Sequence, residues 1–174
     1  MNDALKNLMT RRSCRAYDPA QIKPEELDAI LQAGVYAPTG KGKQSPLVVA
    51  IQTPETLAKV EALNAAVMGK PDAHPFYGAP TAVVVFYEAD NPLSVADANL
   101  IMGNLMNAAN AVGVASCYIW RAKETFESDE GKALKAAWGI PDNYVAAGNV
   151  ILGYGKPEGY RELAPRKADY IRKV

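Results

Sequence analysis

From Ala98 to Trp120 the chain carries no charged residue, although the whole sequence of 174 residues holds 19 Lys+Arg and 19 Asp+Glu. The first half of this stretch has helical periodicity. At about 100° per residue, Ile101, Met102, Leu105, Ala108, Ala109 and Val112 share one face. Asn99, Asn104, Asn107 and Asn110 share the other. A helix face meant for water carries Lys and Glu. This one carries neutral amides, small residues and Leu100. The pattern predicts a helix buried on both sides, and a chain this short has few elements to cover one helix twice. A helix at the centre of a subunit interface is the favoured reading, with a monomer core as the alternative. Buried Asn side chains then need partners, because an unpaired buried amide costs about 1–3 kcal/mol.

The remaining pattern mixes helices and strands. Asn2 or Asp3 can cap a first helix with Ala4, Leu5, Leu8 and Met9 on one face. Pro24 suits the first turn of a second helix, whose stripe is Leu27, Ile30, Leu31, Gly34 and Val35. Residues 37–46 hold two Pro and two Gly and read as a loop. Strands are predicted over 47–51, 81–87, 114–120 and 145–152, and further helices over 54–64, within 92–113, and as one unbroken element over 123–138. Residues 154–174 form a polar C-terminal arm with little periodicity. No linker or repeat divides residues 1–174, so one domain with an arm from about 154 is expected.

Several chemistries are disfavoured by what the sequence lacks. Net charge +0 and pI ≈ 6.6 give no global attraction to nucleic acid or anionic membrane. With one His, His74 in a Pro-rich run, no multi-His metal site can form in one chain. Cys14 and Cys117 make neither a CxxC motif nor a disulfide framework. The N-terminus has no apolar signal-like core, and a cytoplasmic protein is expected. No Gly-Lys pair is followed by Ser or Thr, and Gly153-Tyr154-Gly155 lacks the third Gly of a dinucleotide fingerprint. Arg11, Arg12 and Arg15 cluster at a helix end, and Arg166 and Lys167 lie near the other terminus. Guanidinium forks suit phosphate, although on its own an Arg pair at a helix C-terminus also reads as a solvated face favoured by the dipole.

Five segments in order carry a resemblance. Arg11-Arg12-Ser13-Cys14-Arg15-Ala16-Tyr17 resembles the Arg-Arg-Ser-x-Arg-x-aromatic opening of the nitroreductase family of flavoproteins. The run from Ala37 to Ser45 resembles that family's Ala-Pro-Ser/Thr-x-x-Asn-x-Gln-Pro loop. Pro75 to Pro80 before an apolar strand, the central helix from Asp97 through Asn104-Leu105 to Gly113-Val114, and the closing Val150 to Tyr154 with Pro165-Arg166-Lys167 are similar to further family segments.

The resemblance implies an α+β fold, a mixed sheet flanked by helices, working as an intertwined homodimer with two FMN sites at the interface. It assigns Arg11, Arg12 and Ser13, with Arg166 or Lys167, to the phosphate and ribityl chain, and Arg15 to the pyrimidine edge. Pro38, Thr39, Gly40, Gly42 and Gln44 would approach the same flavin from the partner subunit. Asn104 on the central helix joins the cofactor set, and Tyr118, Ile119, Trp120 and Arg121 match the strand end that passes the ring. No catalytic side chain is implied: hydride would arrive at flavin N5 from NADH or NADPH and leave to a small aromatic acceptor, a nitroarene or a quinone, in one cleft with ping-pong kinetics. The chain departs from the family loop at Gly42, where Asn is usual, and at Ser45-Pro46, where Pro-Trp is usual. The alternatives are a non-catalytic FMN-binding or storage protein, a flavin-dependent reductive dehalogenase or flavin-fragmenting enzyme, and a small anion-binding domain without flavin.

Overall fold

The computed structural model describes residues 1–174. Six helices and four strands alternate along the chain: α1 (Asp3–Thr10), α2 (Pro24–Val35), β1 (Leu47–Ile51), α3 (Pro54–Val67), β2 (Thr81–Glu88), α4 (Ser94–Ala111), β3 (Ala115–Ile119), α5 (Ala122–Glu127), α6 (Asp129–Ala137) and β4 (Tyr144–Gly153). The strands form one sheet in the order β1-β2-β4-β3, with every neighbouring pair antiparallel. The register shifts once, between Val85 and Phe86, where β2 meets β4. No helix is long and apolar enough to cross a membrane.

The sheet is the middle of three layers, which explains why β2 is an unbroken apolar run instead of an alternating one. Thr81 through Phe86 are all buried. Val83 and Val85 face α2 and α4, joining Ile30, Ile101, Met102 and Leu105 in one core. Val84 and Phe86 face α3 and α5, joining Val60 and Phe126 in the other. Phe86 and Phe126 meet edge to face at 5.2 Å between centroids. Helix starts follow the sequence signals. Asn2 Oδ1 accepts from Leu5 N at 3.0 Å, and Glu26 Oε2 accepts from Lys23 N at 3.0 Å at the head of α2.

The predicted helix over 123–138 is two helices, because Ser128 interrupts it. Ser128 is extended (φ −65°, ψ 160°), and its Oγ accepts from Gly131 N while donating to Thr125 O. The turn is so tight that a Cβ on Gly131 would stand 2.1 Å from Thr125 O. Helix α3 also runs one turn beyond its predicted end, to Val67.

β3 lies at the end of the sheet, and an unpaired edge is a liability. Here it is covered by the segment carrying the arginines. Ser13 bridges Ser116 in parallel, and Cys14 N donates to Ser116 O at 3.0 Å. Residues 154–160 then close over that segment: Asp18 N donates to Tyr154 O at 2.8 Å, Lys156 N to Ala16 O at 2.9 Å, and Arg15 N to Gly159 O at 2.9 Å. The close approach needs glycine, since a Cβ on Gly155 or Gly159 would reach 2.9 or 2.6 Å from Cys14 Sγ. The first part of the arm is therefore tied down, and Arg161 to Val174 continues as exposed chain without helix or strand.

Helix α4 is covered on one face only by its own chain. Ile101, Met102, Leu105 and Ala109 are buried, whereas Val95, Leu100 and Val112 are exposed. Its amides do find partners: Asn104 Nδ2 donates to Ala33 O at 3.1 Å, and Asn110 Nδ2 to Asn7 Oδ1 at 2.6 Å. Asn99 turns back on its own helix, to Val95 O. Asn104 and Asn110 thus dock the end of α2 and α1, while Asn99 and Leu100 stay exposed.

Candidate functional site

The arginine segment and β3 create two adjoining concavities. Arg11 and Arg12 line the first, of about 240 Å³, together with Asn110, Gly113, Ser116 and Tyr160. One guanidinium nitrogen, Arg11 Nη1, is buried there without any hydrogen-bond partner. Arg12 lies over the Tyr160 ring, 5.1 Å from its centroid, and its Nη1 donates to Arg161 O at 3.2 Å. Neither arginine has a carboxylate partner; the ion pairs of the chain are His74–Glu61, Lys123–Glu127 and Lys132–Asp129. A buried cationic donor with nothing to bond is a costly arrangement that an anion relieves.

The second concavity, of about 290 Å³, follows along β3. Arg15, Trp120 and Arg121 line it with His74, Tyr77 and Tyr118. Trp120 is 66% exposed, and its ring is inclined beside that of Tyr118 at 6.3 Å. Ser116 belongs to the first concavity and Cys117 to the second. One strand therefore presents a cationic end and, a few residues on, an aromatic end. The shape suits an elongated ligand with an anionic group at one end and a flat ring at the other.

The neighbouring thiols are structural. Cys14 is fully buried, and its Sγ donates to Ala16 O at 3.1 Å. Burial pushes the Cys117 thiol above its ordinary range, so it stays protonated at neutral pH. Burial likewise raises the Tyr17 phenol, which donates to Cys14 O at 2.9 Å, and the Tyr160 phenol beside it.

The loop over residues 38–44 lies elsewhere, at the start of α4. Gly40 N donates to Asp97 Oδ1 at 2.9 Å, and Thr39 Oγ1 accepts from Gln44 N at 3.1 Å. Lys41 (φ +56°), Gly42 (φ +65°) and Gln44 (φ +50°) are all left-handed. At Gly42 that backbone accounts for the departure from Asn, since both residues tolerate it. Pro38 and Gln44 are exposed. Gly40 meets α4 at Asp97 and Arg11 meets it near Asn110, a separation of about 20 Å along the helix at 1.5 Å per residue.

The structure therefore brings together Arg11, Arg12 and Ser13 beside Ser116, and Arg15 with Trp120 and Arg121. It does not bring Pro38, Thr39, Gly40, Gly42 and Gln44 to them within one chain. Asn104 stands between the two groups, bonded to α2. Arg166 and Lys167 are exposed on the arm, which leaves the body at Arg161 beside Arg12. The residues that sequence reasoning missed are Asn110 and Tyr160 in the first concavity and His74 and Tyr77 in the second. His74 reads as a loop histidine and remains exposed, but its loop forms one wall of the ring-shaped cleft. The Gly155 and Gly159 pair was the one local sign that the chain near Tyr160 packs closely.

The sequence profile described as the Nitroreductase family matches residues 8–154. A relative from Archaeoglobus fulgidus, whose own description as an NADH dehydrogenase/NAD(P)H nitroreductase is provisional, is 33% identical over 166 residues, covering 91% of this chain and 88% of the relative. A solved nitroreductase with bound FMN from Bacteroides fragilis has the same fold, with a TM-score of 0.92 and 30% identity over 100% of each chain. A second, with bound FMN, from Desulfitobacterium hafniense gives a TM-score of 0.89 at 24% identity, covering 100% of this chain and 99% of the other. The chain belongs to the nitroreductase family.

Proposed function

We propose that this chain is an FMN-dependent NAD(P)H oxidoreductase that works as a homodimer and reduces nitro compounds or quinones. The observation that carries the reading is Arg11 Nη1, buried and unpartnered beside Arg12 at a concavity on β3, whose next residues line a second, aromatic cleft. These residues fit FMN. Arg11, Arg12 and Ser13 would hold the phosphate end, and Arg15, Trp120 and Arg121 would line the ring end. When bound, FMN supplies the two-electron hydride chemistry that no side chain of this protein can perform.

The chain's own contribution is charge and shape. Arg15 places a positive charge in the ring cleft, which favours a ligand that becomes anionic there. Cys117 stays a protonated thiol and does not compete as a nucleophile. Trp120 offers a flat exposed face on which a second aromatic molecule can rest. The dimer reading rests on two further observations. The outer face of α4 around Leu100 is uncharged and open in the single chain. The loop over 38–44 meets α4 about 20 Å along the helix from the Arg11 end, and in the dimer reading a second copy supplies it to the ligand.

The test is the visible spectrum of the purified protein, followed anaerobically with NADH and with NADPH, then with a quinone or nitroarene. Flavin absorbance that bleaches with one nicotinamide and returns with the acceptor is the expected result. Parallel lines in double-reciprocal plots are expected if donor and acceptor share the cleft in turn. FMN at 100 times its Kd should add about 2.7 kcal/mol of stability. A protein that binds FMN but is bleached by neither nicotinamide would be a flavin-binding protein, not an oxidoreductase.

A further inference from the structure

The turn between β3 and α5 carries both Trp120 and Arg121 into the ring cleft, yet little of it is held by packing. Trp120 is 66% exposed. The β3–β4 ladder stops at the Ile119 and Asn149 pair, so the Trp120 carbonyl has no strand to accept from. Arg121 is left-handed (φ +73°, ψ 15°), a conformation a non-glycine residue keeps only when its surroundings enforce it.

The enforcement comes from two buried polar side chains in the layer behind the sheet. Asn64 on α3 and Thr125 on α5 are both fully buried. Asn64 Nδ2 donates to Trp120 O at 2.8 Å and reaches Thr125 Oγ1 at 3.4 Å. Thr125 Oγ1 in turn donates to Arg121 O at 2.7 Å, and Thr125 N donates to the same oxygen at 3.0 Å. Two successive carbonyls of the turn are thus clamped from one side. Only the amide nitrogen of Asn64 can face them, because its oxygen would meet two acceptors. Asn64 Oδ1 is left buried without a partner, a standing cost of about 1–3 kcal/mol. A Leu would fill the position without that cost but would leave the Trp120 carbonyl without its donor, so the amide is kept for what it does to the turn.

We propose that Asn64 and Thr125 are positioning residues for the ring cleft: through the carbonyls of Trp120 and Arg121 they hold the turn in the shape that receives the flat ligand. This rests on the oxidoreductase reading for the identity of that ligand. Neither residue touches it. Their effect passes through the backbone to the Trp120 ring and the Arg121 guanidinium.

The test compares Thr125→Val, which keeps the branched shape and removes the hydroxyl, with Asn64→Leu, and with Thr125→Ser, which restores the donor. In the full chain without added FMN, amide hydrogen exchange over residues 119–123 should rise about tenfold in Thr125→Val and Asn64→Leu and stay near wild type in Thr125→Ser. With FMN bound, its dissociation should quicken and its reduction by NADH or NADPH should slow several-fold in the same two variants, with recovery in Thr125→Ser. If Asn64→Leu does not fold, Thr125→Val against Thr125→Ser decides the matter. Unchanged exchange would show that the network does not hold the turn. Faster exchange with unchanged FMN dissociation and reduction would overturn the positioning role. A wild-type protein that takes up no FMN would overturn the oxidoreductase reading and the ligand half of this proposal. Exchange would then still decide whether Asn64 and Thr125 hold the turn.

Discussion

The two faces of α4 are alike in carrying little charge and opposite in situation. The inner face, Ile101, Met102, Leu105 and Ala109, is sealed against the sheet and α2. Leu105 packs so closely on α2 that a Cβ at Gly34 would stand 2.5 Å from its Cδ2. The outer face, with Asn99 and Leu100, carries no charge either, but it is open in the single chain. Absence of charge therefore marks burial without saying by what. One face is finished by intramolecular packing, and the other is the face that the proposed dimer would cover.

Leu105→Ala probes the sealed face and should have the largest effect. Removing a fully buried Leu is expected to cost about 2–5 kcal/mol, at every protein concentration. Chemical denaturation of wild type and variant measures it. An equal loss from Leu100→Ala in a monomeric sample would erase the contrast between the faces.

Leu100→Glu probes the open face. The charge stays in water in a single chain, so the monomer should fold normally. In the dimer it would be buried unpaired, at a cost of several kcal/mol. Sedimentation or light scattering should show a folded monomer in place of a dimer, with weaker FMN retention because the partner's loop is lost. A wild-type protein that is monomeric at micromolar concentration would break the comparison.

Arg11→Met sharpens the difference between groups completed by their own chain and groups that await another molecule. FMN affinity should fall at least about tenfold, with a weaker dependence on salt, because a charge-assisted contact to phosphate is lost. Melting without FMN should be unchanged or slightly higher, since an unpartnered buried nitrogen is removed. Titration by flavin fluorescence and thermal melting read the two effects.

The smallest effect should come from Tyr154→Phe, at the head of α2, which covers the flank of α4. The Tyr154 hydroxyl donates to Glu26 Oε2 at 2.7 Å and, with the Lys23 N–H, holds the Glu26 carboxyl below its usual range. A depressed carboxyl contributes stability above its unfolded pKa of about 4.3 and loses it as pH falls through the folded value. The melting difference between wild type and Tyr154→Phe should be present at pH 7 and shrink below about pH 4. The pair is only half-buried, so the difference should be slight. A difference that grows as the pH falls would contradict the assignment.

Much of this was legible in the residues. All four strands, the cap at Asn2, the first-turn prolines Pro24 and Pro54, and the helix at the head of the charge-free run 98–120 are local patterns, set by propensity and by which side chains can leave water. The nitroreductase resemblance came from short motifs in order, and the family profile agrees with it over residues 8–154. The break at Ser128 has a local sign that the periodicity masked: Ser128-Asp129-Glu130 is an N-cap residue with an acidic first turn, and Gly131 is a poor helix former. The break arises where the Gly131 backbone presses on Thr125, a contact that exists only once α5 and α6 are packed.

Periodicity established that α4 has two uncharged faces, but only the tertiary structure decided which one the chain itself covers. Leu105 and Leu100 look alike in sequence, and one is core while the other is surface. The family resemblance assigned Arg11 and, from a partner subunit, the loop over 38–44 to one flavin, and within one chain the fold sets them at opposite ends of a helix about 27 Å long at 1.5 Å per residue. Asn64 carried no signal at all, since a lone amide in an apolar helix has no local partner to reveal its purpose. Local patterns follow from a residue and its neighbours in the chain. The partner of a buried donor, and the side from which a helix is covered, depend on segments distant in sequence, and those meet only when the layers close.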